Sequence, residues 1–88
     1  MNAQLGDQVF LPLPERLARR ILYLTHDDKP DLKLNQTQLA GFVGATREGV
    51  SNVLRAWQHN GLIKLTRGGL RVLDRQALRA IGDSGAQF

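Results

Sequence analysis

The sequence predicts a mainly α domain: a three-helix core, then a small β-hairpin and a short last helix. Three observations predict it. Apolar residues at Leu13, Leu17, Ile21 and Leu24, and again at Val50, Val53, Leu54 and Trp57, recur at the three-to-four spacing of one buried helix face. Two β-prone runs, Leu62-Ile63-Lys64-Leu65-Thr66 and Leu70-Arg71-Val72-Leu73, flank a turn, Arg67-Gly68-Gly69. The chain has 88 residues and no cysteine, so one small domain must hold itself together without a disulfide framework or thiolate metal site.

Taken in order, residues 1–9 show no period and are expected to be a tail or a hinge remnant. The domain is expected over 10–82, with 83–88 a C-terminal tail. Pro12 and Pro14 open the first helix, where a missing N–H costs nothing and φ is already set. Glu15 favours the same N-terminus. Leu13, Leu17, Ile21 and Leu24 make its stripe, and Arg16, Arg19 and Arg20 lie off it, a solvated face from which one could reach a phosphate. His26-Asp27-Asp28-Lys29-Pro30-Asp31 reads as a polar loop with a proline stop, not a metal site, since no second histidine lies near. Leu32-Lys33-Leu34 alternates as a short strand.

Asn35 is a good N-cap for the next helix, whose apolar face is Leu39, Phe42 and Val43, with Ala40 small enough for close helix approach. Gly44 supplies a left-handed turn, and Thr46 caps the following helix. Gly49 in that helix costs about 1 kcal/mol relative to alanine, with no structural need visible in the sequence. Asn60-Gly61 ends the helix. Asp74 caps the last helix, expected over 75–81, and the chain frays from Gly82. The layout is helix, strand, helix, turn, helix, hairpin, helix: a winged helix-turn-helix.

The charge is uneven. Residues 1–45 hold five basic and five acidic side chains, and residues 72–88 hold two of each. The whole net charge of +4 therefore lies in residues 46–71, where Arg47, Arg55, Lys64, Arg67 and Arg71 face Glu48 alone. Such a patch suits a polyanion. On the second helix of the turn motif, Glu48, Asn52, Arg55 and His59 stand opposite the apolar stripe, with Ser51 beside them and Arg47 on the flank. A polar helix face held by a partner helix suits a DNA major groove.

Two other classes compete. A protein-interaction or assembly module would present an apolar patch on the second helix or wing, and that face is polar here. An enzyme would need more than His26 and His59 in separate elements, without a nucleophile, metal or phosphate-loop spacing. Phe42 and Trp57 fall on buried stripes, which argues against base stacking of the kind RNA binding uses. No apolar run reaches a membrane span and no signal peptide is visible, so a soluble, cytoplasmic protein is expected.

The segment LNQTQLAGFVGATREGVSNVLRAWQHNGLI, with Thr46-Arg47-Glu48 opening the second helix, resembles the C-terminal DNA-binding domain of the cyclic-AMP receptor protein and fumarate-nitrate regulator (Crp/Fnr) family. LPLPERLARRILYL upstream and the glycine-containing wing downstream are similar to it as well, so the resemblance covers about residues 10–81. It implies sequence-specific binding of double-stranded DNA in bacterial transcription regulation, with the helix over 46–59 in the major groove. Arg47 and Glu48 would reach base edges, Arg donating twice to guanine and Glu accepting from cytosine. Ser51 and Asn52 complete the expected base contacts. Thr37, Gln38, Thr46, Arg55, Lys64, Arg67 and Arg71 are the expected phosphate contacts. Asn52 stands where the family often has arginine, and Gly49 where it often has a hydroxyl residue.

The resemblance further implies an N-terminal ligand-sensing barrel and a dimerisation helix, for which the roughly ten residues before the first helix leave no room. The chain is therefore expected to be an excised domain, the other possibility being a stand-alone one. It would hold no cofactor itself, since a cyclic nucleotide or other effector would bind the missing domain. The expected partner is a near-palindromic operator, with RNA polymerase a candidate second partner. The full-length protein would be a homodimer and the isolated domain a monomer or weak dimer.

Overall fold

A computed structural model describes residues 11–84. Within them the order is α1 (Leu13–Leu24), β1 (Asp31–Leu32), α2 (Gln36–Val43), α3 (Arg47–His59), β2 (Ile63–Thr66), β3 (Gly69–Val72) and α4 (Arg75–Ser84). The expected winged helix-turn-helix is present. The tail expected at 1–9 lies outside the described residues, as do residues 85–88 of the tail expected at 83–88; Asp83 and Ser84 belong to α4.

The core forms where the helix stripes meet the inner face of the sheet. Leu17, Ile21, Leu39, Val50, Leu54, Ile63, Leu70 and Leu78 are all fully or almost fully buried, with Trp57 beside them. The sheet is antiparallel in the order β1-β3-β2. Leu32 pairs with Leu70 and Leu65 with Leu70, which puts the apolar side chains of all three strands on one face. The hairpin expected from sequence is thus one part of a three-stranded sheet. The expected strand at 32–34 is shifted to Asp31–Leu32. Gly69 belongs to β3, not to the turn: a Cβ there would lie 2.0 Å from the Leu32 carbonyl oxygen. β1 approaches β3 so closely that only glycine fits.

Three expectations change for one reason, the packing of α4 on α1. α4 runs to Ser84, and Gly82 is buried against α1, where a Cβ would meet Arg19 Cγ at 3.1 Å and Ala18 Cβ at 3.9 Å. Gly82 is therefore a contact residue, not the start of a frayed tail. The buried face of α1 turns toward Ala18, and Leu24, expected on the stripe, is exposed.

Arg16, Arg19 and Arg75 do structural work. Arg16 Nε donates to Val43 O at the end of α2 and Arg19 Nε to Gly82 O in α4. Arg75 donates to Leu22 O and Thr25 O at the end of α1. Each guanidinium satisfies carbonyls that a helix end leaves without partners, at the negative pole of its dipole. The solvated role expected for Arg16 and Arg19 is corrected. Phe42 is corrected too: the buried stripe of α2 is Leu39, Ala40 and Val43, and Phe42 is 53% exposed. The Arg20 guanidinium lies 5.5 Å from the Phe42 ring centre and 6.0 Å from that of Tyr23.

Candidate nucleic-acid interface

The helix-turn-helix is set by its caps. Asn35 Oδ1 accepts from Gln38 N at 2.8 Å, and Gln38 Oε1 accepts from Asn35 N at 2.9 Å. This reciprocal box leaves the Gln38 amide NH2 pointing outward as a donor. Gly44 takes φ 68°, a left-handed conformation that costs glycine little, and Ala45 N returns to Ala40 O at 3.0 Å. Thr46 Oγ1 accepts from Gly49 N at 3.0 Å, so its hydroxyl proton stays available. A Cβ on Gly49 would crowd Thr46 Oγ1 at 3.2 Å and Leu13 Cδ2 at 3.3 Å. Both neighbours are side-chain atoms, so this crowding offsets the helix propensity an alanine would gain without making glycine obligatory.

These constraints fix what α3 presents. Arg47, Glu48, Asn52 and Arg55 are exposed and Ser51 is half-buried, while Val50, Leu54 and Trp57 face the core. Arg55 Nη2 donates to Asn52 Oδ1 at 2.5 Å, which occupies one acceptor of the Asn52 amide and leaves its NH2 free. Arg47 lines a cleft with Gln36 and Thr37 at the start of α2, Leu65 and Thr66 of β2, and Gly68 and Gly69 of the hairpin. The structure thus brings Arg47, Thr37 and the wing tip around one concavity. Arg67 is exposed in the two-residue turn between β2 and β3.

One expected phosphate contact, Arg71, is engaged within the sheet. Lys64 and Arg71 are cross-strand partners on the outer sheet face, opposite Leu65 and Leu70. Arg71 is engaged by Asp31, its Nε and Nη2 donating to Oδ1 at 2.8 Å and Oδ2 at 2.9 Å. This fork holds the Asp31 carboxyl below its ordinary range and raises Arg71, chiefly through the hydrogen bonds themselves. Of the five cations in residues 46–71, Arg47, Arg55, Lys64 and Arg67 are thus exposed and, among the described residues, have no carboxylate partner.

Gln58 was not singled out from sequence. Its Oε1 accepts from Leu65 N at 2.7 Å, joining α3 to the wing. The available signal was its place three turns after Arg47 on the same helix flank. His59 is exposed, and among the described residues no group of three or more His, Cys, Asp or Glu could hold a metal ion. Nor is any helix among them long and apolar enough to cross a membrane.

The profile of the Crp-like helix-turn-helix domain matches residues 15–81. The chain is 31% identical to the CRP-like cAMP-activated global transcriptional regulator of Mycobacterium tuberculosis (strain ATCC 25618 / H37Rv), over 88% of this chain and 38% of that protein. It is 33% identical to the cAMP-activated global transcriptional regulator Vfr of Pseudomonas aeruginosa, over 68% of this chain and 31% of that protein. Its fold is similar to the crystal structure of a Crp/Fnr-family transcriptional regulator from Eubacterium rectale. The TM-score is 0.81 at 30% identity, and the match covers 91% of this chain and 38% of that one. The chain thus spans about a third of the length of the curated relatives it matches.

Proposed function

This chain belongs to the family of Crp-like helix-turn-helix domains, and from that premise we propose that it is a DNA-binding module of a transcription regulator, reading double-stranded DNA with α3 in the major groove. One observation carries the reading. The exposed face of α3 is polar and basic, and Arg47 shares a cleft with the start of α2 and the wing tip. A duplex backbone needs donors on both sides of an inserted helix, and these elements supply them.

In this reading Arg47, Glu48, Ser51 and Asn52 face base edges. With Oδ1 engaged by Arg55, Asn52 acts mainly as a donor, which suits acceptors such as guanine N7 or thymine O4. Thr37, the free NH2 of Gln38, the Thr46 hydroxyl, Arg55, Lys64 and Arg67 contact phosphates. Arg71 leaves that set because Asp31 occupies it. The module reads one half-site, and a dimer on a near-palindromic operator would supply the second. In this reading the effector binds a region outside residues 11–84, the homodimer belongs to the full-length protein, and RNA polymerase is a candidate second partner. The role is regulatory and not catalytic, in the cytoplasm with the genome.

The test is a binding titration of the chain against varied duplexes at two salt concentrations. Arg47→Ala and Glu48→Ala are expected to relax sequence preference, each by about 1–3 kcal/mol at one position. Equal affinity for every duplex, unchanged by Arg47→Ala, overturns the base-reading assignment.

A further inference from the structure

Among the described residues, the Gln58 to Leu65 bond is the only hydrogen bond from an α3 side chain to the wing. Its setting makes it more than a surface contact. β2 is an edge strand, since β3 lies between it and β1. Thr66 pairs with Gly69 beside the turn, so the alternation of an antiparallel ladder points the next residue's N–H, that of Leu65, away from β3. That N–H has no ladder partner. Gln58 supplies one, and because Leu65 N can only donate, the amide oxygen must be the atom that faces it.

The anchoring of the hairpin is uneven. At its base Ile63 is 1% exposed, and the chain is tied to α3 by the bonds Gly61 N to Gln58 O and Leu62 N to Trp57 O. Toward the tip Leu65 is only half-buried, and Thr66, Arg67 and Gly68 are exposed. Leu65 also lines the cleft with Arg47. The pinned residue thus sits where the base-reading helix and the wing tip meet.

We propose that Gln58 is a positioning residue: by holding the Leu65 N–H it fixes the edge strand of the wing against α3, and so sets the distance between the base-reading side chains and Arg67. This rests on the DNA-binding reading above. Gln58 does not itself need to touch DNA for the role. Without it, the hairpin tip swings about its buried base and Arg67 no longer holds its phosphate.

The experiment compares the wild-type chain with Gln58→Ala, Gln58→Glu, Arg67→Ala and the Gln58→Ala/Arg67→Ala double variant, and places Arg47→Ala in the wild-type and Gln58→Ala backgrounds. Alanine keeps helix propensity at an exposed site, so the fold is retained. Amide hydrogen exchange at Leu65 is expected to accelerate about 5- to 10-fold in Gln58→Ala, as for loss of one hydrogen bond. It is expected to stay slow in Gln58→Glu, whose carboxylate still accepts. Titrations of a duplex across salt concentrations supply the functional readout. Arg67→Ala is expected to lower the salt slope by about 0.9 in the wild-type background and by close to zero in the Gln58→Ala background. Arg47→Ala is expected to change sequence preference by the same factor in both. Unchanged Leu65 exchange in Gln58→Ala overturns the pin. Full additivity of Gln58→Ala and Arg67→Ala overturns the positioning role alone. Failure of the wild-type chain to bind any duplex overturns the DNA-binding reading and this role with it.

Discussion

Asp31 and Arg71 lie 40 positions apart in the chain and meet in a two-point ion pair across β1 and β3. Counting charges along the sequence assigns Arg71 to a basic patch, while the pair assigns it to the sheet. Both side chains are about half-exposed, so the contribution is small and screened by salt. Its pH dependence has a definite sign. The folded carboxyl is held below its unfolded value, so the stabilisation is complete above about pH 4 and is lost as pH falls through the lowered folded value. Thermal melts of Asp31→Asn should therefore lie below wild type at neutral pH, with a gap that closes in acid and in high salt. A gap that widens as pH falls would contradict the assignment. Glu48 and Asn52 were legible as exposed groups because helical period places them opposite Val50, Leu54 and Trp57, whereas the period puts Arg47 only on the flank and its exposure comes from its place in the first turn. The bond between Arg55 and Asn52 was not legible, because the period fixes a face and not a rotamer.

The elements themselves were largely readable, since each is fixed by signals a few residues apart. Asn35, Thr46 and Asp74 cap the helices the sequence assigns to them. What the sequence hid was the contact each element makes. Two glycines separate the two kinds of information. Gly49→Ala should be close to neutral: a helical alanine gains about 1 kcal/mol, offset by crowding against the movable Leu13 side chain and the Thr46 hydroxyl. Gly69→Ala puts a methyl group 2.0 Å from a backbone oxygen, which cannot yield without parting β1 from β3. It should cost about 3 kcal/mol in urea unfolding, the upper end of the overpacking range. Similar costs at both glycines would show that the β1–β3 approach is not the constraint. Phe42 was misread at this scale because Leu39, Ala40 and Val43 already complete the stripe that α2 turns inward.

At the scale of the molecule, one core serves every element, so the presentation of α3 depends on residues far from it. Leu39 is fully buried in α2, and Leu39→Ala should cost about 2–5 kcal/mol. A domain of this size has little more than that in total, so duplex binding at 37 °C should fall with the folded fraction and recover on cooling toward 20 °C. Loss of binding with an unchanged melt would instead place Leu39 in the interface. The sequence by itself determined the architecture, the order of elements, the turn at Gly44 and the outward face of α3. Those depend on periodicity and capping, which act within one or two helical turns. Only the tertiary structure decided which cations are free. Arg16, Arg19, Arg71 and Arg75 find carbonyls or a carboxylate 27 to 63 positions away, whereas among the described residues Arg47, Lys64 and Arg67 find none and Arg55 meets only Asn52 on its own helix. A guanidinium is committed by the geometry of whatever packs beside it, and that neighbour is set by the fold as a whole, not by the residues next to it in the chain.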